Sequence, residues 1–412
     1  MSVSSVVARH ALFVIILAVP LSAGAALTLA EAERLALAYA PWLAHHRTNV
    51  SAAAERVVYE GRLPDPQLIV GVVNVPTDTY STRPDDQSAY QVGLRQQFPA
   101  GDTLKLKSQR AQKELSREEA RLEMEKRNLL RQVRMTWFEL YYVNRSLGIL
   151  EENHVLQQRL VSDAEGRYRA AAAGQPEVLQ ARQALARLDE RIAMLRAQRT
   201  RGQAQLSRWI QEAAFNDFPA DLPDVPPLPE TFEVARHPES LAARAGLEAA
   251  QVDVAIARQE YKPGFMVDLA YGLRRARPDG SERPDMVTAL VTLDLPIFRE
   301  KRQDRRLAEK QALETAARFE SEDKRRELEA MYRAVRAEYE AFAQRVKIFA
   351  ERILPDARRE ANLTVAGFAR DQAPRREARL KALETTLEFT RLRVDLARSR
   401  AELLYLTGEE QP

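Results

Sequence analysis

Apolar and polar residues alternate along two pairs of segments, one pair in each half of the chain. A period of two places every second side chain on one face, so these segments predict two β-hairpins, 67–98 and 264–295. Each strand approaches ten residues, the length of a tilted membrane crossing. Between the strands lie polar segments, 76–88 and 274–285, which predict exposed loops. The alternating segments are 67–75, 89–98, 266–273 and 287–295.

After each predicted hairpin, the spacing of apolar residues changes to that of a long helix. The segment 102–170 contains no proline and predicts a helix about 100 Å long at ~1.5 Å per residue. Its counterpart, 299–366, contains Pro355, where a kink is expected. In 178–210 the apolar residues recur in steps of three and four, the pattern of a coiled-coil seam. The other helices are predicted at 28–62, 231–262 and 376–407.

The same order of elements occurs twice, which predicts a duplication. Pro41 corresponds to Pro238, Pro66 to Pro263 and Pro99 to Pro296, all at one offset. The repeats are predicted at 26–210 and 231–408, joined by a proline-rich connector, 211–230, and followed by a tail, 409–412. In each repeat, two half-length helices have the combined length of the long helix and can lie end to end beside it.

The first residues have the pattern of a secretory signal peptide. Arg9 and His10 precede a short apolar run, and small residues follow at 22–26. The apolar run has about half the length of a membrane-spanning helix. We expect export, with cleavage after Ala25 or Ala26.

Composition excludes several classes of function. The chain has no cysteine, which excludes disulfides, thiolate metal sites and cysteine nucleophiles. A net charge of +3 over 412 residues gives no reason to expect nucleic acid as a partner. No nucleophile elbow, metal-spaced histidine pair or phosphate-binding glycine loop is present. We therefore expect no enzyme activity, no resident metal and no cofactor.

The fold class predicted is mainly α with a small β part: long antiparallel helical hairpins plus two β-hairpins. Four strands do not close a barrel alone, and a bilayer does not tolerate open sheet edges. Three chains sharing one barrel would give twelve strands, within the known range, and the helices would form a second tube attached to it. The alternative is a soluble α+β protein whose hairpins pack on its helices. The helix lengths and the predicted export argue against it.

The chain resembles the TolC family of outer-membrane efflux proteins over 27–408. The resemblance rests on an ordered set of segments, and the stretches 66–78 and 97–103 are similar to the subgroup that works with heavy-metal efflux pumps of the RND class. Many family members carry an N-terminal lipidated cysteine, which this chain does not have. The segments are Leu27–Glu33 with Ala40-Pro41, Pro64-Asp65-Pro66, Gln97-Phe98-Pro99, Leu295–Phe298 and Ala401–Gly408.

This resemblance implies a homotrimer with a twelve-stranded β-barrel in the outer membrane of a Gram-negative bacterium and an α-barrel in the periplasm. The trimer would be a passive exit duct for an inner-membrane pump, of RND type, and a periplasmic adaptor (membrane fusion protein). Heavy-metal cations are one cargo that the resemblance allows. A duct for drug efflux or type I secretion is also compatible, and a periplasmic adaptor or another coiled-coil envelope protein is the alternative class.

The resemblance places the gate at the helix turns. Asp371 would form a ring of three carboxylates that attracts cations, and Arg370 would latch the closed state. The alternative for Asp371 is an ordinary solvated turn residue. The turn residues Gly174, Pro176, Gly367 and Pro374 are candidates for adaptor contact. On the polar strand faces, the candidates for lining the lumen are Arg95, Asp268 and Asp294.

Overall fold

The computed structural model describes residues 26–83, 85–223, 228, 232–367 and 372–408. Within these ranges the chain is mainly helical and carries one antiparallel sheet, which confirms the predicted combination of a large α part and a small β part. The predicted signal peptide, much of the connector and the tail 409–412 lie outside the described residues.

The first repeat contains two short helices, a β-hairpin and two long helices, and the second has a similar order. A π-helical turn, Phe349–Ile353, joins the two helical segments that form the long leg of the second repeat. The elements of the first repeat are α1 (Leu29–Tyr39), α2 (Pro41–Glu60), β1 (Gln67–Val73), β2 (Ala89–Phe98), α3 (Thr103–Arg169) and α4 (Gln175–Ile210). Those of the second are α5 (Pro238–Gln259), β3 (Phe265–Leu273), β4 (Met286–Leu293), α6 (Gln303–Ile348), α7 (Leu354–Gly367) and α8 (Gln372–Thr407).

The long helices lie side by side in one layer. α3 packs against α2 and α4 and also against α5 and α8, whereas α6 packs against α5 and α8, and α7 against α8. The order across the layer is therefore α2 with α4, then α3, then α5 with α8, then α6 with α7. Two half-length helices lie along each long leg, as the helix lengths predicted.

The main core lies where α1, α3, α4 and α8 meet. Trp137 and Phe138 of α3 are fully buried there beside Leu206 and Leu404. The indole N–H of Trp137 donates to the carbonyl of Leu27 at 3.1 Å, so its one polar group is satisfied. A second cluster follows the predicted seam of α4, where Ile192 and Leu195 pack against α3.

Three helices begin or continue differently from the sequence prediction. The predicted helix 28–62 is broken at Ala40, whose ψ of 111° is extended because the next residue is Pro41. Instead of beginning at 231, the second repeat's first helix starts at Pro238. Near Pro355, where a kink is expected, the structure has a π-helical turn that ends two residues earlier.

All four strands form one sheet in the order β1-β2-β3-β4, each antiparallel to its neighbour. Gly93 pairs with Ala270, and Val92 pairs with Tyr271, which pairs in turn with Val287. The two hairpins are thus joined through β2 and β3, and β1 and β4 remain as edges. Within the described ranges, no helix combines the length and apolar character of a transmembrane helix.

Candidate functional site

The sheet presents one large apolar face to solvent. Val70 and Val287 are 73% and 70% exposed, and Leu269 between them is 57% exposed. An apolar patch of this kind marks a contact with lipid or protein rather than with water. The same face carries Leu68, Val72, Tyr90, Val92, Leu94, Phe265, Tyr271, Leu273, Val291 and Leu293.

The opposite face is lined by small residues in the two central strands. Gly93, Ala270 and Gly272 are buried there. A side chain at Gly93 would place its Cβ 2.6 Å from the carbonyl oxygen of Leu269 and 2.7 Å from the Cβ of Ala270. Glycine is therefore required for this close approach. Large side chains on one face and small ones on the other favour a sheet that curls toward the small face, as in a barrel wall.

Two of the predicted lumen residues form an ion pair on this small-residue face. Nε of Arg95 donates to Oδ1 of Asp268 at 2.7 Å, and a second guanidinium nitrogen donates to Oδ2 at 2.8 Å. A bidentate pair of this kind is among the stronger protein hydrogen-bond arrangements. Asp268 is 7% exposed and the Arg95 side chain is 40% exposed, so the pair joins β2 to β3 with its carboxylate partly shielded by the guanidinium group. Asp294 lies beyond the end of β4, paired through its backbone with Gly264.

The two loops at one end of the sheet are locked together by charge. The carboxylate of Asp86 in the first loop accepts hydrogen bonds from Arg277 at 3.2 and 3.3 Å and contacts Arg283 at 3.0 Å. The hydrogen bonds from Arg277 lower the pKa of Asp86. The Arg283 side chain is 1% exposed and also donates to the carbonyls of Arg83 and Asp85. The polar character of 76–88 and 274–285 predicted exposed loops but carries no signal for the pairing of Asp86 with Arg277 and Arg283.

At the other end of the molecule, a tight turn joins α3 to α4. Gly174 precedes α4 with an ordinary φ of −86°, and Pro176 lies in its first turn. The left-handed residue is Ala171, with φ of 56°. The left-handed conformation in this turn therefore falls on Ala171 and not on Gly174. Arg167 and Glu177 bridge the turn at 2.7 Å.

The equivalent turn of the second repeat joins α7 to α8. Gly367 is the last residue of α7, and Pro374 lies in the first turn of α8. The two gate candidates, Arg370 and Asp371, lie outside the described residues. Their roles stay predictions. Among the described residues, no group of three or more His, Asp or Glu side chains is placed to hold a metal ion.

Comparison with known folds identifies the architecture. The chain is similar to a membrane protein from Pseudomonas aeruginosa, with TM-score 0.77 and 18% identity over 92% of this chain and 93% of that one. It is also similar to the outer membrane protein VceC from Vibrio cholerae, with TM-score 0.76 and 16% identity over 93% and 97%. For the MtrE outer membrane channel of Neisseria gonorrhoeae, the TM-score is 0.75 and the identity 16% over 92% and 89%.

At such low identities, these structures establish the fold alone. No curated protein matches the sequence significantly. The family evidence comes from residues 33–210, most of the first repeat, which match the model of the outer membrane efflux protein family. The matched family and the solved structures of this fold are those of channel proteins. The chain is thus similar to the outer membrane efflux protein family over most of the first repeat. Its described residues have the fold of solved outer-membrane channels.

Proposed function

We propose that three copies of the chain share one twelve-stranded β-barrel in the outer membrane, continued into the periplasm by a helical tube. The match of residues 33–210 to the outer membrane efflux protein family supports a location in the outer membrane of a Gram-negative bacterium and a role as the duct of a tripartite efflux system. The trimeric assembly goes beyond this family match, and the open edges of the sheet are the observation that supports it.

The sheet of one chain is incomplete as a membrane structure. Its apolar face suits lipid, but β1 and β4 each leave one edge of backbone groups unpaired within the described sheet. In a bilayer these groups need partners, which a neighbouring copy supplies if its β4 pairs with β1. The small-residue face then lines the lumen, where Arg95, Asp268 and Asp294 would contact water.

The helix layer of one chain also has two open edges. Its two edges are α2 with α4 and α6 with α7, and both expose apolar side chains. Met194 of α4 is 56% exposed and Phe319 of α6 is 70% exposed. Packing of these edges between copies would bury both and close the layer into a tube.

The assembly is tested by two measurements on the mature protein in detergent. Light scattering should give a protein mass near three chains, and planar bilayers should show single-channel conductance. A water-soluble monomer without conductance would overturn the proposal.

The orientation of the sheet has its own test, because the chain has no cysteine. Val291 and Thr292 are adjacent, exposed residues of β4 on opposite faces. Val291→Cys should resist a charged, membrane-impermeant thiol reagent in the assembled protein, and Thr292→Cys should react. Equal reaction at both positions would contradict a lipid-facing strand.

The gate and the adaptor contact belong to the helix turns. Asp371 would form the carboxylate ring and Arg370 the latch, with Gly174, Pro176, Gly367 and Pro374 at the surface offered to an adaptor. Asp371→Ala should abolish block of the conductance by multivalent cations, whereas Asp371→Glu should keep it. Unchanged block in Asp371→Ala would remove this residue from the gate.

An RND pump with heavy-metal cargo is supported only by the sequence resemblance at 66–78 and 97–103. A strain without this protein should then lose growth on heavy-metal salts before it loses growth on drugs. The reverse order would assign the duct to drug efflux.

A further inference from the structure

A basic cavity lies where the connector crosses the helix layer. Four segments line about 140 Å³ of space: α3, the connector at 220–222, the start of α7 and the middle of α8. The three helices each contribute one arginine to the cavity: Arg145 from α3, Arg358 from α7 and Arg393 from α8. The connector contributes Asp221, the one carboxylate in the lining.

These arginines differ from their neighbours in having no carboxylate partner. Within the described ranges, neither Asp221 nor any other carboxylate lies within 4.0 Å of the three guanidinium groups. Arg391, two residues before Arg393, contacts Glu139 at 3.0 Å and Asp395 at 3.1 Å. The cavity therefore collects three positive charges and one negative charge that do not neutralise one another by contact.

The rest of the lining is apolar or already hydrogen-bonded. The hydroxyl of Tyr141 donates to the carbonyl of Ala220 at 3.1 Å. Burial raises the pKa of Tyr141, and the positive charges of Arg393 and Arg145 act against that rise. The phenol of Tyr141 therefore stays neutral and does not offset the positive charge of the three arginines. Leu222 and Leu354 provide apolar contact on two sides.

The cavity is beside an irregular turn of the long helical leg. The π-helical turn Phe349–Ile353 ends one residue before Leu354, and Pro355 follows. Single π-helical turns are frequent at functional sites. Arg358 lies one helical turn further along α7, so the unpaired charges repel one another across α3, α7 and α8 just after this turn.

We propose that this cavity binds a phosphate-like oxyanion, which bridges Arg145, Arg358 and Arg393. Arginine forms paired hydrogen bonds with the oxygens of phosphate, and one dianion would replace the repulsion between three helices with attraction to a common centre. The bound anion fastens α7 to α3 and α8 beside the π-helical turn. This inference does not depend on assembly as a duct.

The test uses the full mature chain in detergent at low ionic strength. Inorganic phosphate is titrated by calorimetry, with chloride as the control anion. We expect saturable binding of one phosphate per chain, at least tenfold weaker in Arg358→Gln and in Arg393→Gln. Arg199→Gln is the matched control, because Arg199 is an exposed arginine of α4 without an ion pair in the described residues, away from the cavity. It should bind phosphate as the unchanged protein does.

A second variant separates loss of the site from loss of the fold. Asp221→Asn removes the negative charge from the cavity and should tighten phosphate binding severalfold. Unsaturable binding, or equal affinity in all variants, would overturn the proposal. So would weaker binding in Asp221→Asn. Absence of phosphate binding together with a lower assembled mass in Arg358→Gln would also overturn it and assign the cavity to acidic side chains of a second copy.

Discussion

α3 and the α6–α7 leg occupy equivalent places in the two repeats but are buried to very different extents. α3 buries a continuous series of side chains that includes Val133, Trp137 and Leu140. Across Gln303–Ile348, all of which the structure describes, Leu328 alone is buried. Similar helix lengths and similar apolar spacing therefore do not lead to similar burial.

The position in the layer accounts for this difference. α3 has helices on both sides, whereas α6 and α7 form an edge. The exposed surface of α6 instead carries ion pairs along the helix, such as Arg325 with Glu322 at 2.9 Å and with Glu329 at 2.5 Å. Such exposed pairs contribute little to stability. In a single chain, α3 supports the fold, and the α6–α7 edge is available for association with another copy.

The largest expected effect concerns the buried side of this comparison. Trp137→Ala should lower the free energy of unfolding by about 3–5 kcal/mol, because it leaves a cavity in the main core. Trp42→Ala is the matched control: Trp42 is 55% exposed and its loss should cost less than about 1 kcal/mol. The midpoint of urea unfolding, followed by circular dichroism, measures both. Equal losses would contradict a core centred on α3.

A second difference separates the starts of α2 and α5. Ala40 makes no side-chain bond to α2, whereas Nδ1 of His237 accepts from the N–H of Glu239 at the start of α5. Burial lowers the pKa of His237 to about 4, although the negative charge of Glu239 acts to raise that pKa. Arg127, Lys324 and Tyr405 also act on the ring. The neutral ring is thus part of the folded state.

This difference predicts a pH effect confined to the second repeat. Because the folded pKa of His237 is below the unfolded value of 6.5, its contribution is complete above pH 6.5 and is lost as the pH falls toward 4. Between pH 7 and pH 5 the loss is about 2 kcal/mol. His237→Asn keeps a capping side chain and should remove that part of the pH dependence. Unchanged dependence in the variant would contradict the role of His237.

The exposed edge predicts an effect on assembly rather than on folding. Phe319→Ala should weaken association by about 1.5 kcal/mol per contact, the lower value for burial of a large apolar side chain. The helical content of the chain should not change. Glu320→Ala is the neighbouring control, since successive residues point about 100° apart on a helix. Light scattering over a dilution series compares the two, and equal dissociation would remove Phe319 from the interface.

The smallest expected effect is in the loops, where the two repeats meet through Asp86. Asp86→Asn should raise the rate of tryptic cleavage after Arg274 and Arg275 a few-fold, because Arg277 and Arg283 lose their common partner. Asp78→Asn alters the same loop without removing an ion pair in the described residues. Cleavage that is equal in the two variants would contradict a lock between the loops.

Local patterns were sufficient for the elements and their faces. The alternation in 266–273 predicted β3 and the common face of Leu269 and Tyr271, and the apolar steps in 178–210 predicted the seam containing Ile192 and Leu195. The break at Ala40 was missed because the apolar spacing continues across it, although Pro41 restricts the preceding residue. The left-handed turn residue was also missed, because Ala171 has no sequence signal for positive φ.

The sequence by itself determined the long helices, the strands and the division of each strand into an apolar and a small or polar face. These follow from the spacing of side chains along one segment. Only the tertiary structure decided which segments meet. Pairing of β2 with β3 brings Arg95 to Asp268, and the layer order buries α3 while it exposes α6. The connector brings Asp221 to arginines from three helices. Contacts between residues so distant in the chain depend on how whole elements pack against one another. The spacing of apolar residues within one segment does not determine that packing.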